Sequence, residues 1–476
     1  MNQTLLDYYR IPLESLGGVA LAADSVLGNM GFFQFGGRSI CYGRCKTGAA
    51  ADAVEAVSSE FDVLKDVRHD GTTILLPFDF TEVVENLRLE RYRQKDLGGL
   101  ERFATSEPVR QCYYLIRRLL PFLVRRELQR IYFRDWKDLP FPAWPVDFTV
   151  DTLHEQVLRL SLEASGAKRL PFIWFWPNGA PNCLVMTHDV ETSAGRDFTF
   201  KLMDLDDSYG VKASYQVIPE KRYNVPDEYV CGIRSRGCEF NIHDLNHDGR
   251  LYWERTEFAR RAAGINGYAR RYNSRGFRAG AMYRKQEWYD VFEFSYDMSV
   301  PNVAHLEPLR GGCCTVMPYF IGRIVELPLT TTQDYSLFHI LNDYSIEVWK
   351  QQLALIRDRN GLMSFLCHPD YLIDGRTRKV YESLLDYLQN LVIVEGIWAA
   401  LPGEVDRWWR ARRQMKLVPR GDDWEIVGPE RERARLAHAV LDGGRLVYEL
   451  AAGSRREVVG DSQIEPRMLR KTKCLD

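Results

Sequence analysis

The chain has 476 residues, 45% of them hydrophobic, enough for one large domain with appendages or for two or three domains with cores of their own. Its 63 basic and 65 acidic residues leave a formal charge of −2, which excludes an overall field that would draw the protein to nucleic acid or another polyanion. Residues 1–23 have no basic region ahead of their apolar stretch, no apolar run is long enough to cross a bilayer, and the 10 cysteines are scattered, so a reducing, cytoplasmic compartment is expected.

Residues 1–165 are irregular in pattern, with a Gly- and aromatic-rich start, an Ala-rich piece over 48–57 and a basic amphipathic stretch over 113–133. That stretch sets Arg117, Arg118, Arg125, Arg126 and Arg130 beside Leu119, Leu120, Phe122 and Leu123. A packed helix pair interrupted at Pro121 is the reading taken, with peripheral contact at an anionic membrane the alternative. Pro140, Pro142 and Pro145 mark a linker. From 166 to 400, short apolar runs alternate with longer amphipathic stretches, the pattern of repeated βα units, which implies an α/β fold built on a mainly parallel sheet or barrel. Strands are expected at 184–187, 213–218, 239–242, 276–278, 296–300, 324–329, 362–366 and 391–395, and helices at 253–272, 285–294, 345–359 and 378–388. Residues 401–476 carry a Trp- and Arg-rich helix over 404–416 and a hairpin around Asp442-Gly443-Gly444.

Four of the nine histidines, His188, His243, His247 and His368, fall at expected C-terminal strand ends, which converge on one mouth in a sheet of βα units. His243 and His247 are four residues apart after an apolar run and can grip one divalent metal. A second apolar run ends in His188-Asp189-Val190-Glu191, where residues two apart share a face in extended backbone, so Asp189 and Glu191 can both enter the mouth. Paired carboxylates beside a histidine pair suit metal-assisted hydrolysis. His69, His154, His305, His339 and His438 sit in no such constellation. Neither a Gly-rich phosphate loop nor a dinucleotide fingerprint is present, which argues against a nucleotide-dependent enzyme.

Over about half the chain, and in the expected motif order, these residues resemble the polysaccharide deacetylase family, the NodB-homology group of carbohydrate esterases. Thr187-His188-Asp189 resembles that family's first motif, His243-x-x-x-His247 its metal-binding motif, Gly276-Phe277-Arg278 its third, Tyr296-Asp297-Met298-Ser299 its fourth and Leu366-Cys367-His368 its last. The resemblance implies a distorted (β/α) barrel over 166–400, between an N-terminal region and a small C-terminal α+β module. It implies removal of acyl, typically acetyl, groups from a sugar or polysaccharide precursor. Asp189, His243 and His247 would hold a divalent ion, zinc by its nitrogen and oxygen donors; Glu191 or Asp189 would act as base, kept ionised by Arg278; His368 would protonate the leaving group, oriented by Asp370 or Asp297. The family's first motif has two adjacent aspartates, whereas here Val190 separates Asp189 from Glu191, and an alternative register pairs His188 with Asp189. The proline expected after Arg278 is missing. Substrates in the cytoplasm, or lipid-linked at the inner membrane surface, are expected. The alternatives are a hydrolase of another C–N amide bond on the same barrel, acting without metal, and an inactive barrel serving as a carbohydrate-binding or scaffolding subunit.

Overall fold

The computed structural model describes residues 3–16, 18–24, 27–37, 39–93, 122–421, 423–450 and 455–457. The N-terminal region carries the helix Gln3–Tyr9, strands β1 (Ala20–Ala23), β2 (Leu27–Gln34), β3 (Ile40–Lys46), β4 (Arg68–Asp70) and β5 (Thr73–Leu76), and the helices Phe80–Arg88, Phe122–Tyr132 and Thr149–Ser165. Strand β6 (Arg169–Ile173) follows, then β7 (Cys183–Val190), β8 (Ala213–Val217), β9 (Glu239–His243), β10 (Gly276–Arg278), β11 (Tyr296–Asp297), β12 (Tyr319–Ile321), β13 (Ile324–Glu326), β14 (Leu362–Cys367) and β15 (Trp398–Ala399).

The central sheet runs β12-β13-β11-β10-β9-β8-β7-β14, parallel from β13 to β14, with β15 also paired to β7. Every residue of β7 is buried, as a strand covered on both faces requires. The sheet curls until its two ends meet. There the backbone ladder is replaced by side chains, the Thr330 and Thr331 hydroxyls donating to the Leu362 and Ser364 carbonyls at 2.7 and 2.8 Å. Residue parity separates inside from outside. Cys183 and Val185 face the barrel interior, whereas Leu184, Met186 and Val190 face the surrounding helices.

The expected strand at 391–395 is instead the last turn of a helix, Gly375–Glu395, which ends at Gly396 with left-handed φ. Its apolar run misleads because Ile393 and Val394 lie 74% and 77% exposed on the helix surface, and β15 begins three residues later than the run ends. The expected helix at 285–294 is a single 3-10 segment, Gln286–Val291, and the pairing at 296–300 and 324–329 reaches only two and three residues before the chain turns into mouth loops. The C-terminal helix forms over Pro402–Gln414, and the hairpin forms as β18 (Leu436–Asp442) and β19 (Arg445–Leu450), after β16 (Lys416–Arg420) and β17 (Asp423–Val427). A short β20 (Arg455–Glu457) edges it.

β18 also pairs with β6, so the sheet β20-β19-β18-β6 joins segments from either side of the barrel. The apolar core inside the barrel runs without a break into Leu5, Tyr9, Phe33, Leu153, Trp408 and Tyr448. Arg412, fully buried, binds these parts together: its Nε donates to the Trp174 carbonyl at 3.0 Å and its Nη2 to the Ile173 and Tyr8 carbonyls at 2.7 and 2.9 Å. Near the mouth, Glu90 of the N-terminal region accepts from Arg284 Nε at 2.6 Å and also from Arg284 Nη2, and both side chains are almost wholly buried. Arg284 in turn donates to the Met282 carbonyl at 2.8 Å, fixing the loop after β10 where Ala281 and Met282 hold φ of 54° and 52°. Tyr92 donates to the Gly312 carbonyl at 2.6 Å, tying a second mouth loop to the same segment.

Of the basic stretch, residues 113–121 lie outside the described residues. The helix Phe122–Tyr132 packs on the turn Ser336–Leu341, with Arg130 Nε donating to the His339 carbonyl at 3.2 Å. No helix among the described residues is long and apolar enough to cross a membrane.

Candidate metal and acid–base centre

Inward parity at the ends of β7, β9, β10 and β14 brings Asp189, Glu191, His243, Arg278 and His368 into one mouth. His188, with the opposite parity, leaves it. Its imidazole is buried on the outer face, Nδ1 against the Cys367 carbonyl at 3.0 Å and Nε2 against Asp206 Oδ2 at 3.2 Å. The register that pairs Asp189 with Glu191 is therefore the one realised, and that pairing His188 with Asp189 is not.

Glu191, His243 and His247 offer ligand atoms that all lie within 4.8 Å of one another, and they form the one such group of His, Cys, Asp and Glu side chains among the described residues. The expectation placed Asp189 beside the histidine pair; the structure places Glu191 there, its Oε1 2.9 Å from His247 Nε2 and 3.9 Å from His243 Nε2. The reason is reach. Asp189 Oδ2 comes to 3.6 Å of His243 Nε2, but its other oxygen is taken by Arg278. Glu191 stands one residue beyond β7 with a longer stem and reaches across to both rings.

The histidines fit a metal. Nε2 of His243 is buried without a hydrogen-bond partner and that of His247 is buried facing Glu191 Oε1, an arrangement that an ion shared by the three would complete. His243 Nδ1 lies 3.1 Å from the Arg278 carbonyl, which fixes the proton there and turns the Nε2 lone pair into the mouth. His247 has a left-handed φ of 53°, and its carbonyl accepts from Arg222 Nη2 at 2.7 Å. Gly280 permits the turn, since a Cβ there would stand 2.6 Å from Asp244 Oδ2 and 2.9 Å from the His247 ring.

Asp189 is a carboxylate held ionised. Burial alone would raise its pKa, but the Arg278 guanidinium at 3.0 Å, helped by His243 and His368, holds it below the usual carboxylate range. Arg278 is itself wholly buried and aimed by the Thr187 hydroxyl at 2.8 Å and the Met298 carbonyl at 2.9 Å. Across the mouth, His368 Nδ1 lies 2.6 Å from Asp334 Oδ1, while the other oxygen of Asp334 accepts from the His368 backbone N–H at 2.7 Å. Burial would lower the imidazole's pKa; Asp334 first, with Glu191 and Asp189, outweighs it and lifts it to about 10, which favours the protonated ring at neutral pH. Nε2 then points at Glu191 Oε1, 3.8 Å away.

Neither acid expected to orient His368 does so. Asp297 has outward parity and accepts from the Tyr289 and Ser299 hydroxyls at 3.0 and 2.7 Å, its carboxyl raised by burial beside Glu326. Asp370 accepts from the Glu191 backbone N–H at 3.1 Å and from the Thr192 hydroxyl, so it fixes the chain leaving β7. The residue missed was Asp334, in the loop beyond β13. The signal available was a lone carboxylate following the apolar run 324–329, the same pattern that singled out Asp189 after the apolar run 183–187.

Three apolar side chains, Met282, Leu329 and Leu366, cluster apart from the main cores at these strand ends. Glu307, in the loop after β11, is buried and accepts two hydrogen bonds from Gln333 Nε2, at 2.7 and 2.6 Å. Desolvation raises its pKa from 4.5 to about 7. The folded state therefore binds this proton more tightly than the unfolded one. The associated stability is fully present below 4.5 and is lost as pH rises through 7. Glu307→Gln should match the wild type near pH 4.5 and exceed it at pH 8 by on the order of 3 kcal/mol in urea unfolding. An unchanged difference between the two proteins across that window would show Glu307 to be ionised in the fold.

The sequence matches no family profile and no curated protein. Solved structures do resemble it. A structure from Mycobacterium smegmatis assigned as a polysaccharide deacetylase aligns over 53% of this chain and 98% of its own at 16% identity, with a TM-score of 0.41. A family 4 acetyl xylan esterase from Clostridium thermocellum, solved with a cobalt ion, aligns over 48% and 91% at 13% identity and a TM-score of 0.33. A CE4 family pseudoenzyme from Bacillus anthracis aligns over 47% and 65% at 13% identity and a TM-score of 0.31.

Proposed function

We propose that the protein is a metal-dependent hydrolase that removes acyl groups, acetyl foremost, from a carbohydrate. The observation that carries this reading is the opposition, in one mouth, of an Arg278-held carboxylate and an Asp334-held imidazolium on either side of a Glu191–His243–His247 cluster. Those three residues would hold the ion, with zinc the natural match to two imidazoles and a carboxylate, and it would supply Lewis acidity toward water and the acyl carbonyl.

The remaining chemistry belongs to the chain's own side chains. Asp189 Oδ2, facing His243 while Oδ1 is occupied by Arg278, takes the proton from attacking water. Arg278 keeps that carboxylate ionised and immobile, so little reorganisation is needed when the proton arrives. His368 Nε2 gives a proton to the departing amine or alkoxide, and Asp334 stabilises the charged ring and orients it. The cluster of Met282, Leu329 and Leu366 offers a small acyl group a dry wall.

Acetate release from N-acetylated and O-acetylated sugars, measured beside metal content by inductively coupled plasma mass spectrometry, tests this. Near-stoichiometric metal with acetate release supports the hydrolase. Metal without release from any sugar favours a binding or scaffolding barrel, and hydrolysis with no metal favours the amide hydrolase. Asp334→Asn should leave metal content intact and lower kcat by about 10²-fold or more, the range of a misdirected general acid. Loss of metal in this variant would place Asp334 in the metal centre instead.

A further inference from the structure

Where the N-terminal region meets the C-terminal helix lies a cavity of about 370 Å³, within the size range of small-molecule sites. None of its lining residues belongs to the metal and acid–base centre. One wall is β12, the strand at one end of the sheet order, and the helices Gln3–Tyr9, Phe80–Arg88 and Pro402–Gln414 supply the others. Three arginines, Arg88, Arg412 and Arg413, line it against two carboxylates, Asp7 and Glu85. Both carboxylates are engaged by arginines outside the lining: Asp7 lies 3.0 Å from Arg10, and Glu85 3.8 Å from Arg91. Arg413 comes only to 3.9 Å of Asp7.

Among the described residues, no carboxylate stands within ion-pair distance of Arg88 or Arg412. Arg412 is wholly buried, yet every group that accepts from it is a main-chain carbonyl, which carries no net charge. Arg88 Nε is buried without a hydrogen-bond partner. Each guanidinium has instead the face of an aromatic ring, Tyr319 by Arg88 at 5.3 Å, Trp409 by Arg412 at 5.2 Å and Phe320 by Arg413 at 4.1 Å. A ring quadrupole offsets only part of the cost of burying a cation. Burial accordingly pulls the Arg412 pKa down to about 9, with Arg10 adding to the effect, and lowers that of Arg88. An anion that enters the cavity brings the missing counter-charge with it. Planar guanidinium forks suit carboxylate and phosphate oxygens, and the flat walls of Phe320 and Trp409 suit an apolar ring attached to them.

We propose that this cavity is a second ligand site, separate from the metal centre, for a small organic anion: a carboxylate or phosphate monoester that carries a flat apolar group. Arg88, Arg412 and Arg413 hold the anionic head, and Phe320 and Trp409 cover the body. The site shares no residue with the hydrolase reading and stands apart from it. Its walls come from residues 4–89, 318–322 and 409–413, so an occupant ties the N-terminal region and the C-terminal helix to the edge of the barrel and stabilises the fold that joins them.

Calorimetric titration of the whole protein with phenyl phosphate, benzoate and neutral phenol, at one ionic strength, tests it. One of the two anions should bind about 10-fold or more tightly than phenol, and which one does so tells phosphate from carboxylate. Arg88→Gln and Arg413→Gln should each cost about 10-fold in that affinity, while His243→Ala, which removes a metal ligand, should leave it unchanged. Glu85→Gln, which takes a negative charge off the wall, should tighten binding by about 2-fold or more, an outcome that a misfolded variant cannot produce. No preference for either anion over phenol overturns the proposal, as does an anion affinity that survives both arginine variants. Affinity lost in His243→Ala overturns it too, by placing the anion on the metal.

Discussion

Glu191→Gln should strip the metal from the protein, while Asp189→Asn should keep it and lose about 10²–10⁴ in kcat, the usual worth of a positioned base. The two carboxylates share a strand face and a mouth, yet the structure divides them by what each touches. Glu191 Oε1 stands 2.9 Å from His247, and Asp189 Oδ1 stands 3.0 Å from Arg278. Gln keeps the shape of Glu191 but removes the charge and one strong donor, which should cost more than the roughly 10–100-fold in affinity typical of disturbing a ligand's outer partner. Asn at 189 leaves both imidazoles and Glu191 in place. Metal content by mass spectrometry after dialysis, with kcat on the same preparations, reads both effects. If Asp189→Asn lost the metal and Glu191→Gln kept it, the assignment would be reversed and Asp189 would be the ligand.

Glu90→Ala should destabilise the protein by about 3–5 kcal/mol, since it leaves a wholly buried guanidinium without its counter-charge. The carbonyls of Met282 and Leu309, which also accept from Arg284, cannot neutralise it. Replacing both partners with apolar groups of similar size, Glu90→Leu with Arg284→Met, should recover most of the loss, because neither charge is then buried alone. Denaturant midpoints of the two single variants and the double variant measure this. A single variant within about 1 kcal/mol of wild type would mean that the pair is hydrated in solution. The same variants should lose activity beyond their loss of stability, for Arg284 holds the loop that presents Met282 to the mouth.

The core of the site was legible because strand periodicity does much of the placing. Once Cys183–Val190 is read as a buried strand, parity alone sends Asp189 and Glu191 one way and Val190 the other. The His243–His247 pair was legible for the same reason, as the exit of β9. The division of labour between the carboxylates was not, because it depends on Arg278, which is a neighbour only after β10 joins the sheet. Asp334 escaped because β13 is three residues long and the chain beyond it follows β14 by hydroxyl contacts, with no strand pattern to flag its end. The run at 391–395 misled because an exposed apolar pair on a helix and a short buried strand read alike. The place of residues 1–165 was hidden for a plainer reason. Contacts such as Glu90 with Arg284, 194 positions apart, leave no local mark.

The pairing of β6 with β18, Leu170 opposite Ala439, has a consequence in time. The whole barrel lies between those two strands in the chain, so the sheet that seals its lower end needs a segment made after the barrel. A nascent chain that has reached residue 400 holds every residue of the metal and acid–base centre, yet it lacks Trp408, Arg412 and Tyr448 from the core beneath. Closing so long a loop is slow, and until it closes the apolar floor of the barrel stays open to water and to other chains. The chemistry is thus written early, but it waits for the final segments of the described chain before it has a floor to stand on.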